Sequence, residues 1–206
     1  MTPKDKRVLT VTLTVLLAAG IATGAGTFLA MQHGVKLNNY GNEVGGSFRL
    51  MDASTGSMTD LMFRGRWMVV LFGATHCTQD ACETALRNMS EALNKVDPYR
   101  RNASIIFVSL DPQRDNAPRL HQYTDDMGTR VVAGTASPEA LAELAREYHA
   151  PVEKVSDPEW GYTMKMSPSF VVMDPDAHYK GSIDATLDAG AMQARLEQIM
   201  HPDVKQ

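Results

Sequence analysis

Cysteine is nearly absent from this sequence, with Cys77 and Cys82 the only two in 206 residues. A loop of four residues between them leaves a disulfide little chain entropy to remove, which argues against a purely structural staple. Basic excess is missing too. With a formal net charge of −4, the chain has no cationic footprint for nucleic acid. There are no internal repeats and no low-complexity tract, so the chain is not a repeat array. The Pro-x-x-x-Thr-x-x-Cys loop of a peroxidatic cysteine has no counterpart before Cys77, which excludes peroxidase chemistry of that kind.

Charge is also absent between Val8 and Met31, a run of 24 residues. As a helix that run would span about 36 Å, enough to cross a hydrocarbon core with some tilt. Lys4, Lys6 and Arg7 precede it. The positive-inside rule then keeps residues 1–7 in the cytoplasm, makes 8–31 a transmembrane anchor and puts the remainder on the far side. A cleaved signal peptide is the competing reading, but the run is long for one and no small-x-small site closes it. In a bacterium this means a single pass through the inner membrane with a periplasmic domain; in a mitochondrion, the intermembrane space. Both compartments permit disulfides.

With 44% hydrophobic and 21% charged residues, the chain beyond Met31 can form one domain of about 165 residues with a real core. The polar, glycine-containing stretch 32–46 reads as a linker, 47–200 as the domain and 201–206 as a tail. The domain is organised around Trp67-Met-Val-Val-Leu-Phe-Gly-Ala-Thr-His-Cys77-Thr-Gln-Asp-Ala-Cys82. Its apolar run predicts a buried strand, its small polar residues a loop, and Glu83 to Leu93 carries helical periodicity. The cysteines therefore fall where a helix begins. Unpaired N–H groups and the positive end of the dipole favour a thiolate there. Such a pair can be a redox couple, a soft-metal site, or both.

Further strands are predicted at Ser47–Ser54, Ser104–Leu110, Val131–Val132, Ser169–Met173 and Tyr179–Ile183. Helices are predicted over Pro118–Met127, from Pro138 to Tyr148 behind a Ser137 cap, and over Asp188–Met200. Pro151–Lys165 reads as a hairpin or excursion. Strands joined by helices and closed by a hairpin and helix indicate an α/β, thioredoxin-like fold, a mixed central sheet flanked by helices.

Gly73-Ala-Thr-His-Cys77…Cys82, Phe107-Val-Ser-Leu-Asp-Pro-Gln-Arg-Asp115 and Met173-Asp-Pro-Asp176 together resemble the SCO/SenC family of membrane-anchored thioredoxin-fold proteins. The resemblance covers roughly Gly45 to Met200. It implies copper, Cu(I), as the metal handled and assembly of the copper site of cytochrome c oxidase as the role, by carrying copper, by reducing recipient cysteines, or both. The implied partner is the copper-site subunit of the oxidase or another periplasmic copper or thiol protein.

Two departures stand out against the family pattern. In the family three residues separate the cysteines, usually with proline after the first; here Thr78 stands in that place and four residues intervene. A five-residue step turns a helix by about 140°, so Cys77 must sit in the loop for the sulfurs to meet. The second departure concerns the family histidine ligand, whose position corresponds to Met166, preceded by Lys165 where an acid is usual. Cys77, Cys82 and Met166 would suit Cu(I), because thiolate and thioether are soft donors. Met166 reads somewhat more readily as packing, because its position matches a ligand site while its residue type does not, and Met164 faces the same side if the strand is extended.

His76 is a weaker alternative donor, and His178, His121 and His149 have nothing in the sequence to recommend them. Lys165 would lower a nearby thiol pKa and oppose a bound cation, which favours exchange over storage. Pro168, in Met166-Ser-Pro168-Ser-Phe170, resembles the cis-proline loop that faces the cysteines of disulfide oxidoreductases, and a cis bond is expected there. Asp111 and Arg114 either orient the site or form an ion pair capping the next helix. A metal-free thiol-disulfide oxidoreductase using Cys77, Cys82 and Pro168 is the alternative function.

Overall fold

Strands buried on both faces have to read as nearly continuous apolar runs, and two segments here do. A computed structural model describes residues 38–201, apart from 53–55, 126 and 128–129, and makes those two segments the centre of a sheet. The anchor and cytoplasmic terminus expected at 1–31 lie outside the described residues. Among the described residues, no helix is long and apolar enough to cross a membrane.

In chain order the strands are β1 (Arg49–Asp52), β2 (Met58–Thr59), β3 (Trp67–Gly73), β4 (Ala103–Ser109), β5 (Val131–Thr135), β6 (Lys154–Asp157), β7 (Gly161–Met164), β8 (Ser169–Met173) and β9 (Tyr179–Asp184). The helices are α1 (Ala81–Val96), α2 (Ala117–Asp125), α3 (Pro138–Glu147) and α4 (Ala189–Met200). Seven strands form a mixed sheet in the order β2-β1-β5-β4-β3-β8-β9. β3 runs parallel to β4 over its whole length, from Trp67 opposite Ala103 to Gly73 opposite Ser109. On its other side β8 pairs with it antiparallel.

Side-chain alternation along β3 assigns the layers. Val69 and Leu71 face a core built with Leu86, Met89 and Leu93 of α1, Leu120 of α2 and Leu196 of α4. Met68, Val70 and Phe72 face the opposite core, with Leu141 and Leu144 of α3 and Tyr148. β5 extends three residues beyond the predicted Val131–Val132. Gly134, which weakens the sequence signal, lets β1 approach: a Cβ there would lie 2.8 Å from Leu50 Cβ. The excursion at Pro151–Lys165 is the β6–β7 hairpin, a two-stranded sheet of its own.

Residues 38–46, expected to end a linker, carry hydrogen bonds to the domain. Gly45 N–H donates to Glu147 O at 2.6 Å, Tyr148 Oη to Gly46 O at 2.7 Å, and Tyr40 Oη to Asp60 at 2.7 Å.

The far end of α1 is held by a buried ion pair. Asp97 accepts from Arg130 Nη1 at 3.1 Å, both side chains being only 2% exposed. The same carboxylate accepts from the N–H groups of Asn102 and Ala103, and Arg130 also donates to the Asp97 carbonyl. Burial pushes the Asp97 carboxyl upward, but the Asn102 N–H and the Arg130 guanidinium outweigh it and hold the group below its ordinary range. A depressed folded-state pKa contributes stability above the unfolded value and loses it as pH falls through the folded one. Urea unfolding should therefore show stability declining below about pH 4, with that slope reduced in Asp97→Asn. Arg130→Ala, which strands a buried carboxylate, should cost about 3–5 kcal/mol at neutral pH.

Candidate functional site

Parallel pairing carries β3 to the point where its chain must turn back over the sheet into α1, and the cysteines occupy that turn. Cys77 closes the loop ahead of a short 3-10 turn, Thr78–Asp80. Cys82 is the second residue of α1. The two are joined as a disulfide with Cα atoms 5.7 Å apart. The extra residue between them is absorbed by Gln79 and Asp80, both in the left-handed region with φ of 55° and 54°. A regular helix could not have brought the sulfurs together, and the loop accommodates the step as the spacing required.

Cys82 is 1% and Cys77 7% exposed, both within the core that contains Leu86 and Phe107. Gly73 makes room for them. A Cβ at position 73 would overlap Cys82 Sγ and lie 3.2 Å from Cys77 Sγ and 3.1 Å from Phe107. The sulfurs thus fill the volume a side chain would take at the end of β3.

Asp115 fixes the root of the loop. Its carboxylate accepts from Thr75 N–H at 2.8 Å, from Thr75 Oγ1 at 2.6 Å and from Ser109 Oγ at 2.5 Å. One acid therefore joins the β3–α1 loop to the end of β4. The neighbouring His76 ring packs on Trp160 with centroids 4.5 Å apart. Burial lowers its pKa below the ordinary range, and the charges of Arg114 and Arg119 lower it further.

Met166 is half-buried and packs against the core that holds both cysteines, whereas Met164 is buried in the core on the other side of the sheet. β7 ends at Met164, so the strand alternation that would have put both methionines on one side does not continue to Met166. Met164 instead meets the site through its backbone: it forms an isolated parallel bridge with Cys77, and its N–H donates to His76 O at 3.4 Å.

The cis bond expected before Pro168 is not there, since no described peptide bond is cis. The reason lies in how Ser167 is held. Its N–H donates to Phe72 O at 2.8 Å and its hydroxyl accepts from Phe72 N–H at 3.2 Å, which lays the chain along β3 in an extended path that a trans proline at a strand entrance can follow. Lys165 also departs from expectation. Its ammonium pairs with Glu153 at 3.0 Å on the exposed face of the hairpin, so its charge is offset there.

Asp111 and Arg114 do form an ion pair, at 2.5 Å, but helix capping falls to Asn116, whose side chain accepts from Arg119 N–H. Arg114 turns the other way and donates to Tyr162 O at 2.8 Å. Among the histidines, His178 does acquire acidic neighbours, Asp174 and Asp176. That carboxylate cluster is a turn: Asp174 accepts from the N–H groups of Asp176 and His178 and pairs with Lys180. Met173 opposite Met68 places it at the other end of β3 from the cysteines.

A cysteine pair closing the strand-to-helix turn of a mixed sheet with helices on both faces defines a thioredoxin-like protein with a dithiol site. The SCO1/SenC family model matches residues 37–201, and the chain belongs to that family. The mitochondrial SCO1 homolog 1 of Arabidopsis thaliana is 27% identical over 140 residues, which are 66% of this chain and 41% of that protein. The chain thus spans less than half of that relative. Among solved structures, Arabidopsis thaliana ScoI with copper bound has a TM-score of 0.71 at 24% identity, covering 77% of this chain and 99% of that one. Bradyrhizobium japonicum ScoI with copper bound has a TM-score of 0.66 at 26% identity, covering 76% and 99%.

Gly73→Ala should set the new methyl group against Cys82 Sγ, costing about 1–3 kcal/mol and lowering the fraction of chains with the disulfide closed. Thiol alkylation and mass measurement under air would show it. Full closure and unchanged stability would refute the packing argument.

Proposed function

We propose that this chain is a membrane-anchored carrier of Cu(I) that serves the copper site of cytochrome c oxidase, with its domain in the periplasm or the equivalent mitochondrial space. The observation that carries the reading is a pair of core cysteines at the start of α1 in a chain of the SCO1/SenC family. Copper is the cargo here. Once the disulfide is reduced, two thiolates at a helix N-terminus offer soft, negatively charged donors that suit a monovalent soft cation. Met166, packed against the same core, offers a thioether in the position where the family has histidine. Without that imidazole the donor set favours Cu(I) over Cu(II).

The closed disulfide supports a second reading, thiol-disulfide exchange with a partner protein. In that step the reduced pair gives two electrons and two protons to a partner disulfide and becomes the disulfide seen here. The recipient is a copper-site subunit or another copper or thiol protein of the same compartment. Pro168, exposed at the entrance to β8, would then lie along the substrate path with its peptide bond trans.

An anaerobic Cu(I) competition titration of the reduced protein tests the first reading. One-to-one binding is expected, weakened about tenfold or more in Met166→Ala and abolished when either cysteine is replaced by serine. Weak binding that Met166→Ala leaves unchanged would retire the three-donor carrier in favour of the redox pair.

A further inference from the structure

The cysteine loop is covered by the hairpin at three successive residues. His76 stacks on Trp160, Cys77 bridges to Met164, and Thr78 Oγ1 lies 2.8 Å from Thr163 Oγ1. Each of these contacts is modest: an aromatic pair, one weak bridge and one hydroxyl pair. β6 and β7 pair only with each other outside that bridge, so the seven-stranded sheet does not hold them in place.

The end of β7 is anchored by Met164, buried in the core on the other side of the sheet, and the remaining polar contacts of the hairpin go to the loop after β4. Arg114 donates to the carbonyls of Tyr162, at 2.8 Å, and Trp160, at 3.4 Å. Its guanidinium also lies over the Tyr162 ring, 3.7 Å from the centroid. The Tyr162 hydroxyl donates to Asp111 Oδ1 at 3.0 Å, while Asp111 Oδ2 accepts from Arg114 Nε at 2.5 Å. These three side chains form a closed cycle between the loop and the hairpin. Two of its members come from the Asp-Pro-Gln-Arg segment, and none touches a sulfur.

We propose that Asp111, Arg114 and Tyr162 are positioning residues that latch the hairpin over Cys77 and thereby set how fast an outside thiol reaches the disulfide. The proposal rests on the pair being redox-active. With Cys77 7% and Cys82 1% exposed, in-line attack has to wait for a local opening, and the hairpin, which touches the loop at His76, Cys77 and Thr78, is the element lying over Cys77. The attacking thiolate forms a bond to Cys77 Sγ as the S–S bond breaks. Cys82 then leaves as a thiolate at the helix N-terminus, the better leaving position, and takes up a proton. A second thiol displaces Cys77. The pair has gained two electrons and two protons, and the two attacking thiols have become a disulfide.

The test is the rate at which excess dithiothreitol reduces the oxidised full chain, followed by quenching, alkylation and mass measurement. Arg114→Ala should speed reduction about tenfold and Tyr162→Phe severalfold, with Arg114→Lys intermediate, since charge-assisted hydrogen bonds are being lost. Tyr40→Phe removes a comparable tyrosine–aspartate bond, to Asp60, and should leave the rate at the parental value. Hydrogen exchange should show protection falling in residues 154–164 and holding in 81–96. Parental rates in both latch variants would overturn the proposal, as would equal acceleration by Tyr40→Phe or uniform loss of protection. The assay contains no copper, so failure of the parent chain to bind Cu(I) would remove the carrier reading and leave this comparison standing.

Discussion

Where β3 hands the chain to α1, the sulfurs of Cys77 and Cys82 take the space beneath the helix that a side chain on Gly73 would need. That close approach sets the rest of the site. The strand must be parallel to β4 to end at this point, and the helix must begin directly above it. Cys82 then lies in its first turn, where backbone N–H groups have no intrahelical acceptor. Burial and the helix terminus act on the reduced pair in opposite senses, since a low dielectric disfavours a thiolate and the dipole favours it. A soft cation bound between two thiolates would relieve the first effect and keep the second.

The surroundings of the pair divide into a fixed part and a looser part. Asp115 ties Thr75 to Ser109 with three hydrogen bonds inside the domain, so the loop's beginning moves with the central sheet. The other side of the loop faces the hairpin, which reaches the domain through Met164 in the core and through the polar contacts of Tyr162 and Arg114.

Much of this was legible in the residues. Apolar runs at Trp67–Phe72 and Ser104–Leu110, the Ser137-Pro138 helix start and the terminal hairpin all appear where periodicity and capping put them, because each is a local signal matched by its burial. Helix geometry required Cys77 to lie in the loop if the two sulfurs were to meet, and it does. What was not legible depended on partners far along the chain. Pro168 has a trans bond and follows Ser167, which is tied to Phe72, 95 residues away. Lys165 is paired with Glu153 across the hairpin, and Met164 and Met166 separate because β7 stops between them. Arg114 could be suspected from its segment, but its turn toward Tyr162 could not, since nothing in the local sequence marks Tyr162 as its acceptor.

The left-handed pair Gln79 and Asp80 carries a consequence for how such chains diverge. Upstream, the loop is pinned at Thr75; downstream, α1 is pinned by its buried face; between them lies a short exposed segment that touches neither anchor. Length can be gained or lost in that segment without moving either thiol's support. Cysteine spacing is therefore a poor yardstick of kinship in this architecture, and chains with an unfamiliar interval between the two thiols belong among the candidates whenever a strand ending in glycine precedes them.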